Sequence, residues 1–134
     1  MKNVKIGFSM AMNGEKTATF NTNGKISQNQ LVFTDDENTV YRFELSPAEV
    51  ILHKTGTSLL EMTFQEKQIT NGTLSTDGLQ FDLVIYTKEL LVEDGTIYLT
   101  YELLDGDTVI SHHSLYVNWT PKIERKDLEQ TWLN

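Results

Sequence analysis

The residues best suited to chemistry lie in the last third of the chain: Tyr101, Ser111, His112 and His113, with Trp119 a little beyond. A phenol, a hydroxyl and an imidazole together could orient the carboxyl, hydroxyl or carbonyl of a bound molecule. On an extended strand His113 shares a side with Val109, Leu115, Val117 and Trp119, whereas His112 falls with Tyr116 and Asn118. His113 is therefore expected to face a core. A hairpin centred on Gly106 sets Leu99 opposite His113 and Tyr101 opposite Ser111. Tyr101, Ser111 and His113 would then form a small polar group in an apolar interior. The plainer alternative is a buried imidazole and phenol that satisfy each other or a trapped water.

Other chemistries find weaker support. A Ser-His-acid triad could be assembled from Ser111 or Ser114, either histidine, and Asp105 or Glu102, but no Gly-x-Ser-x-Gly elbow occurs. A hydrolase or isomerase built on His113 and Tyr101 ranks last among the functional readings. Adjacent histidines on a strand point to opposite faces, so His53, His112 and His113 make a poor metal set, and no cofactor is expected. A haem held by His113 alone is a minor alternative. Asp105-Gly-Asp107 and Asp35-Asp-Glu37 lack the ligand alternation of a calcium loop and read as solvated turns. His53-Lys54-x-Gly56 could place a basic group, Lys54, at a barrel mouth to receive an anion; the plainer reading is a hairpin end with a surface lysine.

These residues must be positioned by strands. Val4, Ile6, Phe8, Met10 and Met12 keep one parity up to Asn13-Gly14, a pair that tolerates the positive φ of a tight hairpin. Asn23-Gly24 reads as a second turn, Asp35–Asn38 as a loop, and Ser46-Pro47 as a strand end, because proline lacks a ladder donor. Ile69 to Ser75, which contains Gly72, reads as a short or bulged strand. Leu79, Phe81, Leu83 and Ile85 then share one side of a run reaching Val92. A single unbroken strand of that length would span roughly 45 Å, so a bend or bulge is expected near Lys88-Glu89. Aromatic residues such as Phe8, Phe20, Phe33, Phe43, Phe81 and Trp119 are interior candidates, from which a packed core or a pocket could be built. Nine or ten strands joined by tight turns make an antiparallel meander, and closing it into a barrel removes the exposed edges; a two-sheet sandwich is the alternative.

At 134 residues the chain fits one domain, with a net charge of -8 and a pI near 4.7. Such acidity disfavours nucleic acid and anionic membranes, since both need a basic stripe. With no cysteine there is no disulfide, thiolate nucleophile or sulfur-ligated zinc. The start of the chain has no continuous apolar run of the kind a signal peptide needs, so a cytoplasmic protein is expected.

The succession Phe20-Asn-Thr22-Asn-Gly24, Leu31-Val-Phe33, Thr39-Val-Tyr41-Arg-Phe43, Gly95-Thr-Ile97-Tyr-Leu99-Thr-Tyr101-Glu-Leu103 and His113-Ser-Leu115-Tyr-Val117 resembles the YwiB-like family of uncharacterised bacterial calycin-like β-barrels. The resemblance runs from about Val4 to Trp119. The family pattern looks like Arg-x-Gly where this chain has Lys54-Thr55-Gly56, so a role that needs a bidentate guanidinium is not carried over. The resemblance implies an all-β, lipocalin-like barrel of about eight to ten strands and a cavity for a small hydrophobic molecule; it implies no reaction.

The expectation is therefore a calycin-like barrel over residues 1–121 and a tail over 122–134 docked on the barrel or a partner. Its function is expected to be non-enzymatic binding of a small, largely apolar ligand in the interior, with Tyr101, Ser111, His113, Trp119 and Lys54 as candidate contacts. The alternative is a protein-interaction module using the acidic surface or the tail. Leu128 and Trp132 are four apart, so a short helix would align them; Trp132 is expected to be buried against the barrel or in a homodimer.

Overall fold

Alternating apolar and polar residues, interrupted by short turns, produce ten antiparallel strands in the computed structural model, whose described residues are 1–122. In chain order they are β1 (Lys2–Met12), β2 (Glu15–Ile26), β3 (Gln30–Thr34), β4 (Val40–Leu45), β5 (Val50–Thr55), β6 (Leu59–Phe64), β7 (Ile69–Thr76), β8 (Leu79–Glu93), β9 (Thr96–Asp105) and β10 (Thr108–Pro121). Each strand pairs with its sequence neighbour, and β1 closes the ring against β10 from Val4 opposite Pro121 to Met12 opposite His113. The predicted meander is thus a closed barrel and not a sandwich. The tail, with the predicted docking of Trp132 beside Leu128, lies outside the described residues.

Turns fall alternately at two ends. The proximal end carries the start of β1 and the β2–β3, β4–β5, β6–β7 and β8–β9 turns; the distal end carries the other five. Two distal turns, Asn13-Gly14 and Asp77-Gly78, place both residues at positive φ (+52° and +85°, +51° and +76°), the mirror-image turn whose twist matches the strands it joins.

Three expectations about the strands need correction. Asn23-Gly24 is not a turn: β2 runs through it and reverses only after Ile26. A side chain at Gly24 would put a Cβ 2.6 Å from the Val32 carbonyl oxygen, so this glycine permits close strand approach inside the wall. Likewise β7 is in regular register, and Gly72 is required because a Cβ there would lie 2.5 Å from the Glu61 carbonyl oxygen. Finally, Leu79 and Phe81 are 60% and 48% exposed rather than interior, because β8 outruns its neighbour β9 at the distal end. The bulge expected in β8 is present between Thr87 and Glu89.

The interior is filled with side chains. Leu31, Phe43, Val50, Phe64, Ile85, Ile97, Leu99 and Val117 are fully inaccessible to water. On one side Phe8 stacks on Phe20 at 4.7 Å and Phe33 on Tyr41 at 5.0 Å; on the other Phe64 meets Tyr101 at 4.9 Å. The first two are pairs on adjacent strands, whereas Phe64 on β6 and Tyr101 on β9 meet across the interior, so packing joins the walls as well as neighbouring strands. Backbone approach at Gly72 therefore has no slack. Gly72→Ala is expected to lower stability by roughly 1–3 kcal/mol in urea unfolding, the usual penalty for overpacking. An unchanged unfolding midpoint would show that β6 and β7 are not held this close.

Candidate functional site

The polar group near the carboxyl end assembles on the inner wall, although in a different register from the one predicted. Tyr101 lies opposite His113, Leu99 opposite Leu115, and Leu103 opposite Ser111. The cause is the β9–β10 connection: Asp105 pairs with Thr108, so the turn is two residues long, and a bulge between Val109 and Ser111 adds a further shift. A bulge in this run of Val109, Ile110 and Ser111 has no sequence signal comparable to Asn-Gly. Because the total displacement beyond the bulge is even, Ser111 and His113 stay on the face of Tyr101 and His113 still points inward; Val109, expected on the same side, lies before the bulge, pairs with Leu104 and is exposed.

Tyr101 and His113 stack with ring centroids 4.7 Å apart and planes 6° from parallel. Ser111 Oγ and His113 Nε2, two residues apart on one side of β10, are 2.6 Å apart, within hydrogen-bonding distance. Thr87, which sequence reading did not single out, sits opposite Tyr101 across β8 and β9. It is fully buried, and its hydroxyl has no hydrogen-bond partner among the described residues. Burial pushes the Tyr101 phenol up to about 12. The His113 imidazole is lowered below its usual 6.5, first by desolvation and then by repulsion from His112. Both rings are consequently neutral at physiological pH, a state suited to hydrogen bonding rather than to charge pairing.

Lys54 and Trp119 do not join this group. Lys54 stands at the distal mouth with its ammonium 5.3 Å from the centre of the Tyr41 ring. Tyr41 in turn donates its hydroxyl to Asp35 Oδ2 at 3.2 Å, while Asp35 Oδ1 accepts the backbone N–H groups of Glu37 and Thr39. The Asp35 run is thus a turn organised by its own first carboxylate. Burial, followed by the Asp35 charge, raises the Tyr41 pKa. His53 lies on the outer wall, 2.8 Å from Glu44 and 3.5 Å from Glu61, and the hydrogen bond from His53 lowers the Glu44 carboxyl. His112, also outside, pairs with Glu102 at 3.0 Å. Among the described residues no three His, Asp or Glu side chains are placed to share a metal ion.

Trp119 marks a separate feature at the proximal end. A cleft of about 770 Å³ is lined by Val4, Ile26, Trp119 and Pro121 together with the polar Ser27, Gln28 and Asp94. A second cleft of about 360 Å³ adjoins Trp119 and shares Ile26, Ser27, Gln28 and Asp94, adding Leu45 and Val92. Parity identified Trp119 as inward-facing. Its convergence with the β2–β3 and β8–β9 turns was not legible, because it depends on how far each strand extends past its neighbours.

The neutral imidazole has a measurable consequence. Between pH 6.5 and the lower folded-state value of His113, the unfolded chain binds a proton that the folded chain does not. Stability therefore falls as pH drops through 6.5 and levels off once the folded ring also protonates. His113→Gln is expected to flatten this part of the profile in urea unfolding between about pH 7.5 and 4.5. An unaltered slope in the variant, or an imidazole NMR resonance of His113 titrating at or above 6.5, would contradict it.

Comparison with known proteins agrees with this architecture. The crystal structure of the ywiB protein from Bacillus subtilis superposes with a TM-score of 0.71 at 15% sequence identity, covering 91% of this chain and 93% of that one. At that identity the likeness is one of fold. No curated protein matches by sequence. Residues 4–117 match the model of a domain of unknown function, DUF1934, which spans nearly the whole barrel. The chain belongs to the DUF1934 family, whose YwiB-like fold is the ten-stranded barrel described above.

Proposed function

We propose that the protein is a non-enzymatic carrier or sensor of a small, largely apolar molecule, held at the proximal mouth of the barrel beside Trp119. The observation that carries this reading is the cleft of about 770 Å³, where an indole, two aliphatic side chains and a proline meet a few polar groups from the adjoining turns. Small-molecule sites have this composition, an apolar lining with sparse orienting polar groups, and volumes of roughly 300–1,000 Å³. The fully buried core argues for a ligand at the mouth in place of the deep interior expected from the sequence. Tyr101, Ser111 and His113 then serve as an internal polar support for the wall.

The reading as a binding protein also draws on His113. Its hydrogen bond is to Ser111, and no carboxylate oxygen lies within 4 Å of its ring nitrogens among the described residues; Glu102 instead engages His112 outside. A serine and imidazole without an orienting acid are a weak basis for acyl transfer. A cytoplasmic location belongs to the same proposal. Among the described residues no helix is long and apolar enough to cross a membrane.

The test uses a Trp132→Phe variant, which leaves Trp119 as the sole tryptophan of the two in the chain. Titration with the neutral fluorophore 1-aminoanthracene is expected to quench Trp119 emission saturably, and organic extracts of the purified protein to contain a co-purifying molecule. Trp119→Ala should weaken probe binding by about tenfold or more. Unsaturable quenching, with equal probe binding by Trp119→Ala, would remove the mouth as a ligand site.

A further inference from the structure

At the distal end the β7–β8 hairpin overhangs its neighbour. The first β8 residue paired with β9 is Val84, opposite Leu104, and β9 ends at Asp105. From Leu79 to Asp82, β8 is therefore hydrogen-bonded on the β7 side alone. Four residues of strand expose an open edge of roughly 13 Å. Every second residue along it directs its N–H and C=O outward, and such a row is a template for another strand. Leu79 and Phe81, on the same side of this strand, remain largely uncovered at 60% and 48% exposure.

Charge identifies the kind of strand that fits. Asp77 in the turn, Asp82 on the edge, and Asp105 and Asp107 on the neighbouring hairpin surround the overhang, and none of the four forms an ion pair among the described residues. From residue 68 to residue 121 the sequence contains one lysine, Lys88, and no arginine. A second copy of this edge would set carboxylates against carboxylates, a repulsion that opposes pairing. We propose that the free edge of β8 at Leu79–Asp82 receives an extended segment of another protein in which apolar residues alternate with lysine or arginine. The main chain supplies the hydrogen bonds of strand addition, Leu79 and Phe81 receive the apolar side chains, and the aspartates select for basic ones. This surface lies at the opposite end from the Trp119 cleft, so the two proposals stand or fall separately.

The probe is a short acetylated and amidated peptide of alternating Lys and Val, titrated into full-length isotope-labelled protein and followed by amide NMR shifts. Saturable shifts centred on Leu79–Asp82 are expected. Affinity should fall by about tenfold or more for Phe81→Glu, for the Asp77→Asn/Asp82→Asn double variant, and for a Glu-Val peptide. A peptide with proline at alternate positions, which cannot donate to a ladder, should not bind. Because Phe81 is half exposed and both aspartates are on the surface, these variants should retain the parent amide spectrum away from the edge. Absence of shifts at the edge, or equal binding of the proline peptide, would overturn the proposal. So would concentration-dependent dimerisation of the parent protein that Phe81→Glu abolishes, which would assign the edge to a second copy.

Discussion

The hydrogen-bonded closure of β1 on β10 is the constraint on which the other features depend. Joining the first strand to the last leaves the ring without two edge strands and commits every inward side chain to one shared interior. It also unites distant segments: Phe8 comes opposite Val117, and Met12 opposite His113. The strand that carries the polar group is thus held from both sides, by β9 and by β1. Closure can be complete only where adjacent strands have equal reach, and β8, the longest strand, exceeds its neighbours. The open edge at Leu79–Asp82 is the local cost of that mismatch.

Within the ring, packing and polarity are divided by position. Phe8, Phe20, Phe33 and Tyr41 form one aromatic group, and Phe64, Tyr101 and His113 another. The second group brings hydroxyl and imidazole functions into the wall, where Ser111 satisfies the ring nitrogen of His113. Buried neutral polar groups of this kind cost little when hydrogen-bonded and restrict how the strands can slide, since a changed register would separate the partners. His53, His112 and their glutamate partners stay outside, where solvent moderates each ion pair.

The two ends of the barrel differ in consequence. Proximally, turns of mixed polarity surround Trp119 and create a concave apolar mouth. Distally, a projecting hairpin stands among aspartates that form no ion pair among the described residues. A packed lumen separates them, so neither end has an open route through the interior to the other. The strands between act as the rigid support that fixes the spacing of the two ends.

Much of this was determined by local sequence. Side-chain parity along a strand follows from backbone geometry alone, so the inward placement of Val4, Ile6, Phe8, Leu115, Val117 and His113 was readable, as were the Asn13-Gly14 turn and the break near Lys88. Register was not, because the bulge at Ile110 depends on the fit of β10 against β9. Nor could the sequence distinguish Gly14, which turns the chain, from Gly24 and Gly72, which admit a neighbouring carbonyl. Phe81 was misplaced for a related reason: periodicity reports which side of a strand a residue occupies, whereas burial requires an opposing wall. The Trp119 cleft and the free edge of β8 likewise arise from differences in strand reach, and those are decided only when all ten strands are closed into one ring.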